Sequence, residues 1–159
     1  MTTLSDRHAG HHDTRPLIDR VAADWGSALW LLGRILIGAI FVHSGFEKLM
    51  NLDGFAASLA KGGLPFSSEQ APVGAVVEFV GGLAIVLGLG TRYAALLMIA
   101  FTIVATLIAH RFWAAPPDQR HMQVVQFAKN VAIIGGFLLV FVTGGGHFSL
   151  ERWWRKRGR

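Results

Sequence analysis

Arg34, Glu78 and Lys129 each interrupt a long apolar run. A charge near the centre of a bilayer costs about 2.5–3.5 kcal/mol on insertion scales. Three such residues in a chain of 159 need compensation, and pairing with one another inside a helix bundle is the simplest form of it. Their spacing agrees. Gly74, Glu78, Gly81, Ile85 and Gly88 fall on one helical stripe, and the small residues there let a second backbone come close. Arg34, Gly38, Phe41 and Gly45 share another stripe, and Gln126, Lys129, Ile133 and Gly136 a third. Such a cluster either fixes helix packing or forms a polar pocket. Read as a pocket, it comprises Arg34, Glu78 and Lys129, with Gln126, Asn130 and His43 beside them. It would take a quinone headgroup, an anion or a small polar substrate. Two cations against one carboxylate favour an anionic or electron-rich ligand.

His43 is nine residues from Arg34 and so faces the other side of the same helix, where Glu47 stands one turn on. Glu47, His110 and Arg111 are read as polar residues of the outer side. Two histidines facing each other across a bundle can hold a b-type haem. His110 and His121 sit at segment ends, however, and are read as interfacial. His8, His11 and His12 lie in a polar stretch where nothing fixes a ligand geometry, so a disordered tail is preferred to a metal site. No metal is expected. The chain carries no nucleophile motif, phosphate loop or metal-spaced carboxylate cluster. Cysteine is absent, which excludes disulfides, thiolate zinc, cysteine-ligated iron–sulfur clusters and any thiol relay through this chain. Redox chemistry here needs a borrowed cofactor or a partner; none is intrinsic, and quinone is the candidate.

The segments that carry these residues are membrane spans. The chain is 52% hydrophobic before its 19 glycines are counted, and only 16% charged, too apolar for an ordinary soluble domain. Apolar runs cover 25–46, 73–90, 93–109 and 124–143. A bilayer core of about 30 Å needs roughly 20 helical residues. The third run has no charge at all, whereas a soluble helix would show a polar stripe. The fold expected is an all-α membrane protein, a four-transmembrane-helix bundle with a short amphipathic helix in the first outer loop. That helix is signalled by Leu52, Phe55, Ala56 and Leu59 at helical spacing, ahead of Lys61-Gly62-Gly63 and Pro65. Residues 1–24 form a polar cytoplasmic tail, 25–148 the membrane domain and 149–159 a basic cytoplasmic tail. From Arg15 to Asp24 the tail suits a short interfacial helix, with Pro16 in its first turn.

Orientation follows from the cations. With four spans both ends share one side, which then holds Arg7, Arg15, Arg20, Arg92 and five cations of the last eight residues. Lys48, Lys61, Arg111 and Arg120 lie opposite. The positive-inside rule puts both termini in the cytoplasm. Depth, at about 1.5 Å per residue, puts Glu78 and Lys129 roughly 9–13 Å below the outer surface and Arg34 about 19 Å below it. A long arginine side chain would then have to span the difference to reach Glu78.

The same residues carry a resemblance. From 29 to 141 the chain is similar to the DoxX family of small four-helix membrane proteins. The matching stretches begin with Gly33-Arg34 and Phe41-Val42-His43-Ser44-Gly45-Phe46-Glu47-Lys48-Leu49. Gly63-Leu64-Pro65, Glu78 with Gly81-Gly82, and Gly88-Leu89-Gly90-Thr91-Arg92 come next. His110-Arg111-Phe112-Trp113 and Gln126-Phe127-Ala128-Lys129-Asn130 complete them. The resemblance implies a bacterial inner-membrane protein associated with redox systems. Relatives in the broader group include a subunit of a thiosulfate:quinone oxidoreductase, and most members have no assigned reaction.

The sequence therefore reads as an inner-membrane subunit or anchor of a redox- or quinone-linked system, with the Arg34–Glu78–Lys129 cluster as its polar site. Whether the chain is itself an enzyme stays open, because no self-contained catalytic motif is present. A small-molecule transporter or carrier is the alternative, and a non-catalytic scaffold for a soluble partner is another. The expected partners are the lipid bilayer, a soluble or membrane redox protein and a second copy of the chain, not nucleic acid. Orientation has a direct test. A reporter active only outside the cytoplasm should be silent when fused after Arg159 and active when placed within 50–71; the reverse pattern would invert the depth argument.

Overall fold

The structure, a computed structural model, describes residues 16–158. The reading of His8, His11 and His12 lies outside the described residues. Six α-helices account for most of the chain: α1 Leu17–Met50, α2 Leu52–Lys61, α3 Ser67–Leu87, α4 Thr91–Ala109, α5 Pro117–Thr143 and α6 Leu150–Arg157. One 3₁₀ turn, Phe112–Ala114, sits between α4 and α5. Four helices, α1, α3, α4 and α5, are long and apolar enough to cross a membrane.

The helix boundaries have local causes. Pro16 precedes α1 with φ −50°, where its ring fits and its missing N–H is not needed. The sequence suggests a separate interfacial helix before Trp25. Residues from Leu17 onward instead run straight into the span, because neither Gly nor Pro stands between Leu17 and Trp25 to break them. The Asn51 side chain caps α2 by accepting from the Gly54 N–H at 3.0 Å. Gly88 ends α3 with φ +71°, and the Leu89 N–H closes back on the Ala84 carbonyl at 2.9 Å, a Schellman arrangement. This tight stop allows α4 to begin at Thr91.

Packing runs in sequence round the bundle: α1 on α3, α3 on α4 and α4 on α5, while α2 lies across α3 and α1 meets α5 only sparsely. Phe41, Ile85, Ala95, Met98 and Phe137 form the buried centre. The Phe41 and Phe137 rings stand 5.4 Å apart. Leu36, Val80, Leu97, Leu107 and Leu139 point outward, as a lipid-facing surface requires. Helix ends gather at two poles. At one, α2 and the 110–116 segment meet, tied by Arg111 donating to the Gly62 carbonyl at 2.7 Å. At the other, the middle of α1 around Trp30 and Arg34, the α3–α4 turn and the C-terminal segment meet. There Trp30 Nε1 donates to the Gly144 carbonyl at 2.9 Å.

The antiparallel α1–α3 contact has a clear register. A Cβ on Gly38 would fall 2.6 Å from a Val86 methyl, one on Gly82 would fall 2.9 Å from the Val42 amide nitrogen, and one on Gly45 would fall 2.6 Å from the Phe79 amide nitrogen. Backbone fills the space at Gly45 and cannot yield as a side-chain tip does. Gly45→Ala should therefore lower thermal stability in detergent by about 1–3 kcal/mol. Gly33→Ala, with nothing within 4 Å, should be neutral or stabilising. Equal effects at the two positions would refute the close approach.

Candidate functional site: a cavity beside a buried ion pair

Glu78 sits on the buried stripe of α3 and is only 3% exposed. Its partner is Lys48 at the end of α1, whose Nζ lies 2.5 Å from Glu78 Oε2. The ammonium also donates to Ser44 Oγ at 2.9 Å and stands 5.1 Å from the centre of the Phe55 ring on α2. Charge, hydroxyl and aromatic face together satisfy a cation held partly out of water.

A cavity of about 950 Å³ opens beside this pair, between α1, α3, α4 and α5, and is roofed by α2 and the 110–116 segment. Phe41, Phe101, Ile108 and Ile133 give it apolar walls. Lys129 and Asn130 of α5 enter it, as do His110, Arg111, Gln123 and Lys61. Asn130 Nδ2 donates to Thr106 Oγ1 at 2.8 Å, while that hydroxyl donates to the Thr102 carbonyl at 2.6 Å. Asn130 is thereby tied to α4. His110 Nδ1 lies 3.1 Å from Gln123 Oε1.

The expected triad does not assemble. Arg34 is 1% exposed but lies at the opposite pole from Glu78. Its guanidinium donates to the Ile85 carbonyl at 3.4 Å, in the last turn of α3, and to the Phe148 carbonyl. The α1–α3 register explains the separation. Extended by a few residues, it sets Glu78 opposite Phe46 and Arg34 opposite Gly90. Twelve residues of α1 then lie between the two levels, about 18 Å. Side chains on a helix also lean toward its N-terminus. That lean carries Arg34 away from Glu78, and it carries Lys48 back to the Glu78 level. A carbonyl in the last turn of α3 and one in the segment before α6 supply the acceptors in place of a carboxylate.

The other candidates divide. Lys129 and Asn130 line the cavity with Glu78, but Lys129 stays exposed and, among the described residues, enters no ion pair. Gln126 is half-buried and outside the lining. His43 is exposed, 3.5 Å from Glu47, and neither reaches the cavity. His110 and Arg111 do reach it. Lys48 is the site residue that sequence reasoning misses, although a signal for it exists. The stripe Arg34, Gly38, Phe41, Gly45 continues directly to Lys48 at the next helical step.

The pair generates a double-mutant test. Lys48→Met leaves a buried carboxylate without its cation and should cost about 3 kcal/mol, the low end for a broken buried pair because Lys48 keeps some contact with solvent. Lys48→Met with Glu78→Gln should recover much of that loss, whereas Lys129→Met should be nearly silent for stability. Melting in detergent measures the coupling; strictly additive effects of Lys48 and Glu78 would show that they do not pair.

The DoxX family model matches residues 29–111, a stretch that contains Lys48, Glu78, His110 and Arg111 and stops before Lys129. Inner membrane protein YphA of Escherichia coli (strain K12) is 38% identical over 132 residues, covering 81% of this chain and 94% of that protein. Inner membrane protein YqjF of the same strain is 33% identical over 127 residues, covering 80% and 92%. Putative oxidoreductase CatD of Bacillus subtilis (strain 168) is 35% identical over 78 residues, covering 49% of this chain and 56% of that one. No solved structure matches. Four helices able to cross a membrane and a family match over half the chain lead to one conclusion: this is an integral membrane protein that belongs to the DoxX family.

Proposed function

We propose that the chain is an inner-membrane subunit of a redox-linked system, with both termini in the cytoplasm, and that the cavity beside Lys48 and Glu78 receives a quinone headgroup. The observation that carries this reading is Lys129, a cation that faces the cavity with no ion-pair partner among the described residues. Quinone oxygens only accept hydrogen bonds, so a site for them must offer donors. Lys129 Nζ is available, His110 and Arg111 stand toward the α2 pole, and Lys48 is already engaged by Glu78. Four cations, Lys48, Lys61, Arg111 and Lys129, line the cavity against the single carboxylate of Glu78. That excess favours a ligand that gains negative charge on reduction. Apolar walls with a few polar groups, at this volume, are the common form of a small-molecule site. Ile40 and Val104 line the cavity and are themselves exposed, which gives a route on which an isoprenoid tail could reach lipid. Names give minor support: YphA and YqjF are called inner membrane proteins and CatD a putative oxidoreductase.

When bound, the quinone would supply the electron-carrying chemistry, and this chain's residues would hold and orient it. Electrons would come from a partner, and the chain has no cysteine to relay them. Binding is the direct test. Purified protein in detergent should bind decylubiquinone saturably, and Lys129→Met should weaken binding about 10-fold, the worth of one charge-assisted hydrogen bond. Absence of saturable binding, or an unchanged Lys129→Met, would overturn the reading. Quinone-independent solute flux in proteoliposomes would favour a carrier instead.

A further inference from the structure

We propose that the notch between α6 and the end of α3 is a site for one acidic phospholipid, with the headgroup phosphate on Arg152 and Lys156 and an acyl chain on Leu31, Val86 and Leu87. This does not rest on the quinone reading, which concerns the opposite pole. The notch has a volume of about 450 Å³. Its floor is Leu31 of α1 with Val86 and Leu87 of α3, and its rim holds His147, Arg152 and Lys156, with no acidic residue in the lining. Trp153 also faces it, a residue type suited to the membrane–water boundary.

Three further observations make this a built site and not a loose basic tail. The Glu151 N–H donates to the Gly88 carbonyl at 3.2 Å, which anchors the first turn of α6 to the α3–α4 turn. The Glu151 carboxylate is engaged by Arg155 one turn on, so the one acid of α6 is occupied with a cation outside the notch. Behind the wall lies Arg34, buried at 1% exposure, whose guanidinium donates to the carbonyl of Phe148, itself a lining residue. Arg34 Nε has no hydrogen-bond partner and no carboxylate pairs with Arg34 among the described residues. Its charge therefore adds to the positive field at the notch.

A phospholipid fits this layout because the two chemistries are adjacent and in the right order. The C-terminus of a membrane-spanning helix marks the interfacial level, where a phosphate would sit. Leu87 at that level is 37% exposed and Leu83, one turn deeper, is 36% exposed, so the floor continues into the outward-facing apolar surface. A soluble anion would use the rim and leave the floor unused.

The test uses the full-length protein in mild detergent, with bound lipid counted by native mass spectrometry. Dioleoyl phosphatidylglycerol should occupy one saturable site, and dioleoyl phosphatidylcholine at equal concentration should not. The double variant R152Q/K156Q should weaken phosphatidylglycerol binding about 10-fold or more, given two headgroup contacts. R92Q/R157Q removes as much charge from the same pole, at residues outside the notch and apart from the Glu151–Arg155 pair, and should change binding less than 2-fold. Equal loss in the two double variants would reduce the site to a diffuse basic surface and overturn the proposal. Equal retention of the two lipids would do so as well. Displacement of phosphatidylglycerol by millimolar inorganic phosphate would show a free-anion site in place of a lipid site.

Discussion

The close approach of α1 and α3 is the constraint on which both poles of this molecule depend. Gly38, Gly45 and Gly82 remove the side chains that would hold the two backbones apart, and each meets a specific position across the contact. Once that register exists, every other residue on the two helices has an assigned level. Glu78 meets the end of α1 and its lysine, while Arg34 meets the end of α3 and the returning C-terminal segment. The ion pair at one pole and the buried arginine at the other are consequences of one packing interface.

The two buried charges are neutralised by different means, with different consequences. Glu78 has a formal counter-ion, so that pole carries a salt bridge and, beside it, a cavity that Lys129 lines. Arg34 has only carbonyl dipoles, which satisfy hydrogen bonds without cancelling the charge. That pole therefore keeps a net positive field, reinforced by the cations of α6. Both poles carry an excess of cations, but one offers a cavity between helices and the other a shallow notch at the end of α3.

The short helix α2 also does more than close a loop. Phe55 packs against Gly74 of α3 and presents its ring to Lys48, so the roof of the cavity and the ion pair are joined. Arg111, reaching across to the Gly62 carbonyl, fastens the same roof from the α4–α5 side. Movement of α2 would alter the access to the cavity and the shielding of Lys48 together.

Much of this architecture is legible in the residues. Four spans follow from run lengths, since a bilayer admits few other ways to satisfy the backbone. The short helix follows from Leu52, Phe55, Ala56 and Leu59, and the inward face of α3 from the stripe through Glu78 and Gly81. Helical periodicity names a face, however, and not which residues of two faces meet. Depth counted from loop ends leaves Arg34 within apparent reach of Glu78, because it ignores the lean of helical side chains and the acceptors at a helix end. Carbonyl partners such as those of Ile85 and Phe148 have no residue-type signature, as every residue carries a carbonyl. Composition and periodicity determined that the chain spans a membrane and buries Arg34 and Glu78. Only the tertiary structure decided their partners, because pairing depends on an inter-helix register set by backbone contacts at a few glycines.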